Sequence, residues 1–186
     1  SVSLSAATCN RVIVLIKAVF TWAGRQSITS VHPARVVQLL RENNARQRYF
    51  TEDEIRRIFL SADKDISPVA ARYVKLLLLT GLRRDELRLA KWEHLDPVKR
   101  TLWLPQTKNG YGRIVYLNSL ALNVIRELPT QWGNPWLFIG KKQGMPLNNP
   151  VKAFQRIVRR AGIFDKEVCI HTCRHSVAAL IVSYGG

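Results

Sequence analysis

The chain has 186 residues, enough for one complete domain or for one domain and part of another. Hydrophobic residues make up 47% of it, which excludes wholesale disorder. The net charge is +16, from 29 Lys and Arg against 13 Asp and Glu, and it indicates a polyanionic partner: nucleic acid first, an acidic membrane surface second.

Other features of the composition bear on location. No apolar stretch approaches the ~18 residues that cross a bilayer, since the longest dense run is Leu76 to Leu79. The first residues also lack the basic and apolar regions of a secretory signal. Three cysteines without framework spacing are typical of a reducing compartment, so we expect a cytoplasmic protein.

Residues 1–48 predict helices of a partial all-α domain followed by a linker. Residues 9–23 carry apolar side chains at three- and four-residue spacing, and Gly24 is the expected stop. A shorter helix is predicted over Val36 to Leu40, after a proline. The polar stretch from Arg41 to Arg48 is interpreted as an interdomain linker.

A second domain is predicted over residues 49–186. A capping-box pattern opens it, and the spacing of apolar residues changes from helical to strand-like in its middle. The predicted elements, in chain order, are a helix from Thr51, a buried helix from Pro68 to Leu79 ended by Gly81, a hairpin with strands over 101–104 and 113–117, a helix over 119–128, a short buried strand over 136–139, a helix over 151–161, and a last helix from about Thr172 to Gly185 or Gly186. This order predicts an α+β fold that is mainly helical with a small antiparallel sheet.

Two short motifs in this domain each supply an arginine. The first is Thr-Gly-Leu-Arg-Arg-Asp-Glu-Leu, which contains Arg83, and the second is His-Thr-Cys-Arg-His, which contains Arg174. Lys108 lies between them, in the predicted hairpin turn. Two guanidinium forks and an ammonium group suit a phosphodiester whose negative charge grows in the transition state.

With these residues in this order, the chain resembles the tyrosine recombinases, the phage integrase family of site-specific DNA recombinases. The resemblance covers nearly the whole chain. It implies that Arg83 and Arg174 bind the scissile phosphate, that Lys108 protonates the departing 5′ hydroxyl, and that His171 assists as proton carrier. It also implies that Glu86 positions Arg83 and that His175 has a supporting role.

The same resemblance implies the reaction and the partner. DNA strands are cleaved and rejoined through a 3′-phosphotyrosine intermediate, on double-stranded DNA, by a homotetramer that needs neither metal nor ATP. The nucleophilic tyrosine is expected well beyond the second motif, where Tyr184 is a poor candidate. We therefore expect a C-terminally truncated catalytic domain of a bacterial or phage-encoded recombinase, which is inactive in strand cleavage and is a monomer or weak oligomer.

Further basic residues outside the motifs are expected to contact the DNA backbone and to make binding salt-dependent. The alternative for those on the 151–161 helix is a solvated helix face. The residues are Lys141, Lys142, Lys152, Arg156 and Arg159.

Other functions remain open at this stage. A type IB topoisomerase shares the chemistry, and a catalytically dead relative would only bind DNA. A zinc site at the alternating Cys169, His171, Cys173 and His175 is disfavoured, because the spacing matches no finger pattern. A peripheral membrane protein is disfavoured because no predicted helix combines a basic face with exposed Trp or Phe.

Overall fold

The computed structural model describes residues 4–42, 48–105, 111–130 and 132–185, and the chain divides into two compact units, 1–46 and 47–186. The fold is α+β, as the sequence predicts. The first unit contains α1 (Ala6–Arg25). The second contains α2 (Glu52–Asp63), α3 (Pro68–Thr80), α4 (Arg84–Arg88), β1 (Leu95–Asp96), β2 (Thr101–Leu104), β3 (Arg113–Tyr116), α5 (Ser119–Arg126), α6 (Val151–Arg160) and α7 (Ile170–Ser183).

Helix α1 is longer than predicted. The Ser5 side chain caps its start by accepting from the Thr8 amide, and the helix continues through Gly24, the expected stop. By length and composition alone the 20-residue helix α1 is able to cross a membrane, so the expectation that no stretch approaches this length is wrong. Core helices and signal sequences meet the same criterion, and this property alone assigns no membrane role.

The predicted helix over Val36 to Leu40 is also wrong. The chain makes a turn over residues 33–36 and is irregular through residue 42. The buried side chain of Asn10 accepts from the Leu40 amide at 2.8 Å and donates to the Leu40 carbonyl at 2.8 Å. The N–H and C=O groups of Leu40 are therefore both bonded to the Asn10 side chain, and neither makes the backbone hydrogen bond that a helix would require.

Helix α3 lies at the centre of the second unit and packs against α2, α5, α6 and α7. Its buried side chains cover most of its surface, which confirms the prediction of a helix buried nearly all round. The capping box that opens α2 is also confirmed, with Thr51 and Glu54 bonded to each other's amides. The largest fully buried side chains of this core include Tyr73, Phe50, Phe138 and Phe154.

The antiparallel sheet has the order β1-β2-β3, with Leu104 opposite Arg113 at the end of the hairpin. The predicted strand over 136–139 is wrong, since this segment forms only isolated bridges. The backbone of residues 136–139 bonds to two different segments in place of one neighbouring strand. Leu137 N–H donates to Ala90 O, and Phe138 O accepts from Leu147 N–H. Leu137 and Phe138 are nevertheless fully buried, as expected for an apolar run.

Arginines connect α2 and α6 at their carboxyl ends. Arg57 of α2 donates to the Ala161 carbonyl at 2.6 Å, and Arg160 of α6 donates to the Lys64 carbonyl at 2.9 Å. Each helix thus supplies a cation to the carbonyls that the other leaves unpaired, where the helix dipole favours positive charge.

Candidate active site

The break between α3 and α4 places Arg83. Gly81 ends α3 in the left-handed conformation with φ 61°, and its amide donates to Leu77 O. Thr80 donates its hydroxyl to Leu76 O at 2.6 Å. The buried Tyr73 hydroxyl donates to Arg84 O at 2.6 Å and so holds the first residue of α4 against the core. The chain therefore turns sharply at Gly81, and Arg83 begins the next helix as its N-cap.

The Glu86 carboxylate fixes the Arg83 side chain. Arg83 Nη1 donates to Glu86 Oε1 at 2.8 Å, and the Arg83 amide donates to Oε2 at 3.0 Å. Arg113 Nη2 also donates to Oε2, at 2.8 Å. The Glu86 side chain is only 6% exposed. Burial raises the pKa of Glu86, but the Arg83 hydrogen bonds and the charges of Arg113 and Arg83 outweigh it, so the pKa lies below its ordinary value.

Arg174 reaches the same turn from α7. Its Nη1 donates to the carbonyl of Gly81 at 2.7 Å, across 93 residues of sequence. A backbone carbonyl two residues before Arg83 thus anchors the second predicted arginine. The two motif arginines, far apart in the chain, are thus both connected to one glycine turn, Arg83 through the backbone and Arg174 through its hydrogen bond.

His171 stands one helical turn before Arg174 and has an exposed edge. Partial burial of the ring, followed by the charges of His175, Arg174, Arg83 and Arg84, lowers the pKa of His171. The centroids of the His171 and His175 rings are 6.0 Å apart. The lowered pKa favours the neutral form of His171 at pH 7, next to cationic neighbours.

A cavity of about 840 Å³ lies over this arrangement. Of the predicted residues, Arg83, Glu86 and His171 line it, and Arg174 and His175 lie beside it. Lys108 falls outside the described residues, although Leu104 and Pro105, which precede it, line the cavity. The lining residues are Arg83, Arg84, Asp85, Glu86, Leu89, Ala90, Lys91, His94, Leu104, Pro105, Trp136, Ile170 and His171.

Comparison with known proteins identifies the family of this chain. The sequence model of the Phage integrase family matches residues 48–185. The chain belongs to the phage integrase family. The integrase of Salmonella phage P22 is 26% identical over an alignment of 168 positions, gaps included, that covers 82% of this chain and 41% of that protein. The tyrosine recombinase XerD of Rickettsia bellii is 25% identical over 98% of this chain and 67% of its own length.

Two solved structures have the same fold. The Tn1549 transposon integrase in complex with circular intermediate DNA has a TM-score of 0.78 at 20% identity, over 98% of this chain and 68% of that one. A lambda integrase dimer bound to a COC′ core site has a TM-score of 0.78 at 18% identity, over 97% and 68%. The chain spans less than half the length of the P22 integrase.

The basic residues predicted to bind DNA fall into two groups in this integrase-family chain. Lys141, Lys142 and Lys152 are exposed and line a separate groove of about 1010 Å³. Arg159 is exposed on α6. Arg156 instead donates both Nε and Nη2 to Asp65, each at 2.8 Å, and the Asp65 side chain is 0% exposed. No local pattern in the sequence indicates this ion pair, and DNA contact by any of these residues stays a prediction.

Substitutions on α6 separate the two groups. We expect Arg156→Gln to lower the free energy of unfolding by roughly 2 kcal/mol, because the buried Asp65 loses its bidentate partner. Arg159→Gln, the matched control on the same helix, should change it by less than about 0.5 kcal/mol. Urea unfolding of both variants measures the difference. Equal stabilities would contradict a structural role for Arg156.

None of the tyrosines in the described ranges lines the cavity. Tyr184 is exposed, and its hydroxyl donates to Glu52. This hydrogen bond, with the charge of Glu52 and some burial, raises the pKa of Tyr184. Burial raises the pKa of Tyr73 far more. Both phenols are thus held in the neutral form, the weaker nucleophile.

The sequence did not identify several residues of the site. Arg113 binds Glu86. Lys91 and Trp136 both line the cavity, and the Lys91 Nζ lies 5.5 Å from the centroid of the Trp136 ring. The available signal was the position of Arg113 at the start of the predicted second hairpin strand, close in sequence to Lys108. In the described part of the chain, no three His, Cys, Asp or Glu side chains form a group that would hold a metal ion.

The lowered pKa of His171 predicts a pH dependence of stability. An unfolded histidine titrates near ~6.5 and the folded one lower, so the unfolded state takes up the proton first as the pH falls. His171 therefore lowers the free energy of unfolding between pH 7.5 and pH 5.5, and His171→Gln should reduce this loss. Urea unfolding at both pH values tests it. Identical losses for the variant and the parent chain would contradict the lowered pKa of His171.

Proposed function

We propose that this chain binds duplex DNA and prepares one phosphodiester for cleavage and rejoining through a 3′-phosphotyrosine intermediate, in site-specific recombination or integration. One observation carries the proposal: Arg174 donates to the carbonyl of Gly81, two residues before Arg83, and His171 lines the same cavity as Arg83. Relatives named as integrases and recombinases support the same reaction class.

The proposed roles follow from the chemistry of each group. Arg83 and Arg174 neutralise the nonbridging oxygens, because a guanidinium stays protonated at any relevant pH. His171, whose neutral form is favoured at pH 7, accepts or returns a proton near the phosphate. Lys108 protonates the departing 5′ hydroxyl, as in the family it resembles. Glu86 holds Arg83 in place, and His175 supports His171.

We propose that none of the tyrosines named above is the attacking nucleophile. Tyr184 is bonded to Glu52, Tyr73 is buried, and the cavity lining contains no tyrosine among the described residues. The 186-residue chain is therefore expected to bind DNA without forming a covalent adduct.

The test begins with a pool of random duplexes, from which the chain selects a preferred site. Affinity for that site should fall steeply with salt, as expected for several phosphate contacts. A nicked suicide version of the same duplex should yield no protein–DNA adduct on a denaturing gel. An adduct would contradict the absence of a nucleophile, and salt-independent or undetectable binding would contradict the function itself.

The remaining partners are proposals of the same kind. The Tn1549 and lambda integrase structures contain DNA, and we propose the same partner here. A homotetramer on DNA and a location at DNA in the bacterial cytoplasm follow from the family resemblance alone.

A further inference from the structure

The buried carboxylate of Glu86 is bound by two arginines. Oε1 accepts from Arg83, and Oε2 accepts from Arg113, with both distances 2.8 Å. The Glu86 side chain is 6% exposed, against 35% for Arg83 and 40% for Arg113. Little water reaches the carboxylate, so its charge has to be balanced by these two cations. Together the three side chains carry one net positive charge.

The second arginine changes what an incoming anion meets. An Arg83–Glu86 pair alone is neutral, and its attraction for a phosphate is correspondingly weak. With Arg113 on the other carboxylate oxygen, the positive charge of Arg83 is no longer cancelled. We propose that Arg113 is a positioning residue of the phosphate site, which neutralises Glu86 so that Arg83 keeps its charge for the anion. This inference rests on the proposed function of Arg83.

The position of Arg113 supports an indirect role. Among the described residues, Arg83 and Glu86 line the cavity and Arg113 does not. Arg113 is the first residue of β3 and lies opposite Leu104 of β2. Leu104 lines the cavity. Its bond to Glu86 therefore also ties the end of the hairpin to α4. Arg113 acts on the anion through the carboxylate and without touching it.

A double-mutant cycle separates this role from a direct contact. Arg113→Gln is made with Glu86 present and in a Glu86→Gln background. Inorganic phosphate is titrated at constant ionic strength, and its binding is followed by the Nε–Hε resonance of Arg83 in the ¹⁵N-arginine-labelled chain, assigned with Arg83→Lys. With Glu86 present, Arg113→Gln should weaken phosphate binding roughly fivefold to tenfold, and in the Gln background less than about twofold.

Two further variants complete the design. Arg126→Gln, an exposed arginine of α5, should leave phosphate binding unchanged in both backgrounds. Arg113→Lys keeps the charge and should restore binding to within about twofold. Equal losses from Arg113→Gln in both backgrounds would overturn the inference, because a direct contact or a purely structural role predicts them.

The outcomes distinguish this inference from the function on which it rests. If the Arg83 resonance of the parent chain responds neither to phosphate nor to duplex DNA, the proposed function fails and the inference with it. If it responds but the cycle shows no coupling, only the inference fails. Should Arg113→Gln alone not fold, judged by its thermal transition, the double variant decides: affinity within about twofold of the parent supports the inference, and a larger loss overturns it.

Discussion

Gly81→Ala is expected to lower the free energy of unfolding by about 2 to 3 kcal/mol. A side chain at φ 61° is strained, at roughly 1 kcal/mol, and the added Cβ meets Val177 Cβ and Cγ1 at 3.1 Å, which adds a similar amount. The carbonyl of Gly81 also accepts from Arg174. We therefore expect phosphate binding to weaken together with stability. Urea unfolding and phosphate titration measure the two effects.

Gly133→Ala is the matched control. Gly133 has φ 72°, and a Cβ added there meets nothing within 4 Å, so only the backbone strain of about 1 kcal/mol remains. In a Val177→Ala background the cost of Gly81→Ala should fall toward that of the control. A cost at Gly81 no larger than at Gly133 would contradict the tight packing of α7 on this turn.

Arg174→Gln should weaken the binding of inorganic phosphate by about 30-fold, since a charge-assisted hydrogen bond contributes about 2 kcal/mol. The same change removes the bond to the Gly81 carbonyl, and a stability loss of about 1 kcal/mol is expected with it. The Arg83 Nε–Hε resonance reports phosphate binding, and urea unfolding reports stability.

The matched variant for this prediction is again Arg126→Gln. It removes one positive charge from the exposed side of α5 and so corrects for the general change in net charge. Unchanged phosphate binding by Arg174→Gln, at native stability, would remove Arg174 from the proposed site and leave it as an anchor of α7.

Most helices of the second unit could be predicted from the sequence, because their signals are local. Apolar periodicity and Pro68 mark α3, the pair Thr51 and Glu54 marks the start of α2, and Gly81 marks the break before α4. The first unit was harder to predict. Gly24 does not stop α1, and Asn10 takes the backbone of Leu40 out of any helix, which is a contact across 30 residues.

The candidate site shows the same division. The motifs identified Arg83, Glu86, His171 and Arg174, and the structure brings them to one turn and one cavity. Arg113 was not found, since only the register of β2 and β3 and the position of α4 place it on Glu86. Arg156 was expected to face outward, toward DNA or, in the alternative, toward solvent. Its pairing with Asp65 depends on α6 packing against the end of α2, which no local pattern encodes.

Arg57, Arg156 and Arg160 are hydrogen-bonded within the fold, which distinguishes them from the lysines that line a groove. These guanidinium groups are committed to helix ends and to a hidden carboxylate. The ammonium groups of Lys141, Lys142 and Lys152 face an open groove instead. We therefore expect these three arginines to contribute less to direct phosphate contacts than the lysines of the groove. Most of the positive charge of this groove resides on lysines, which acetylation would neutralise while leaving the arginine contacts between α2 and α6 intact.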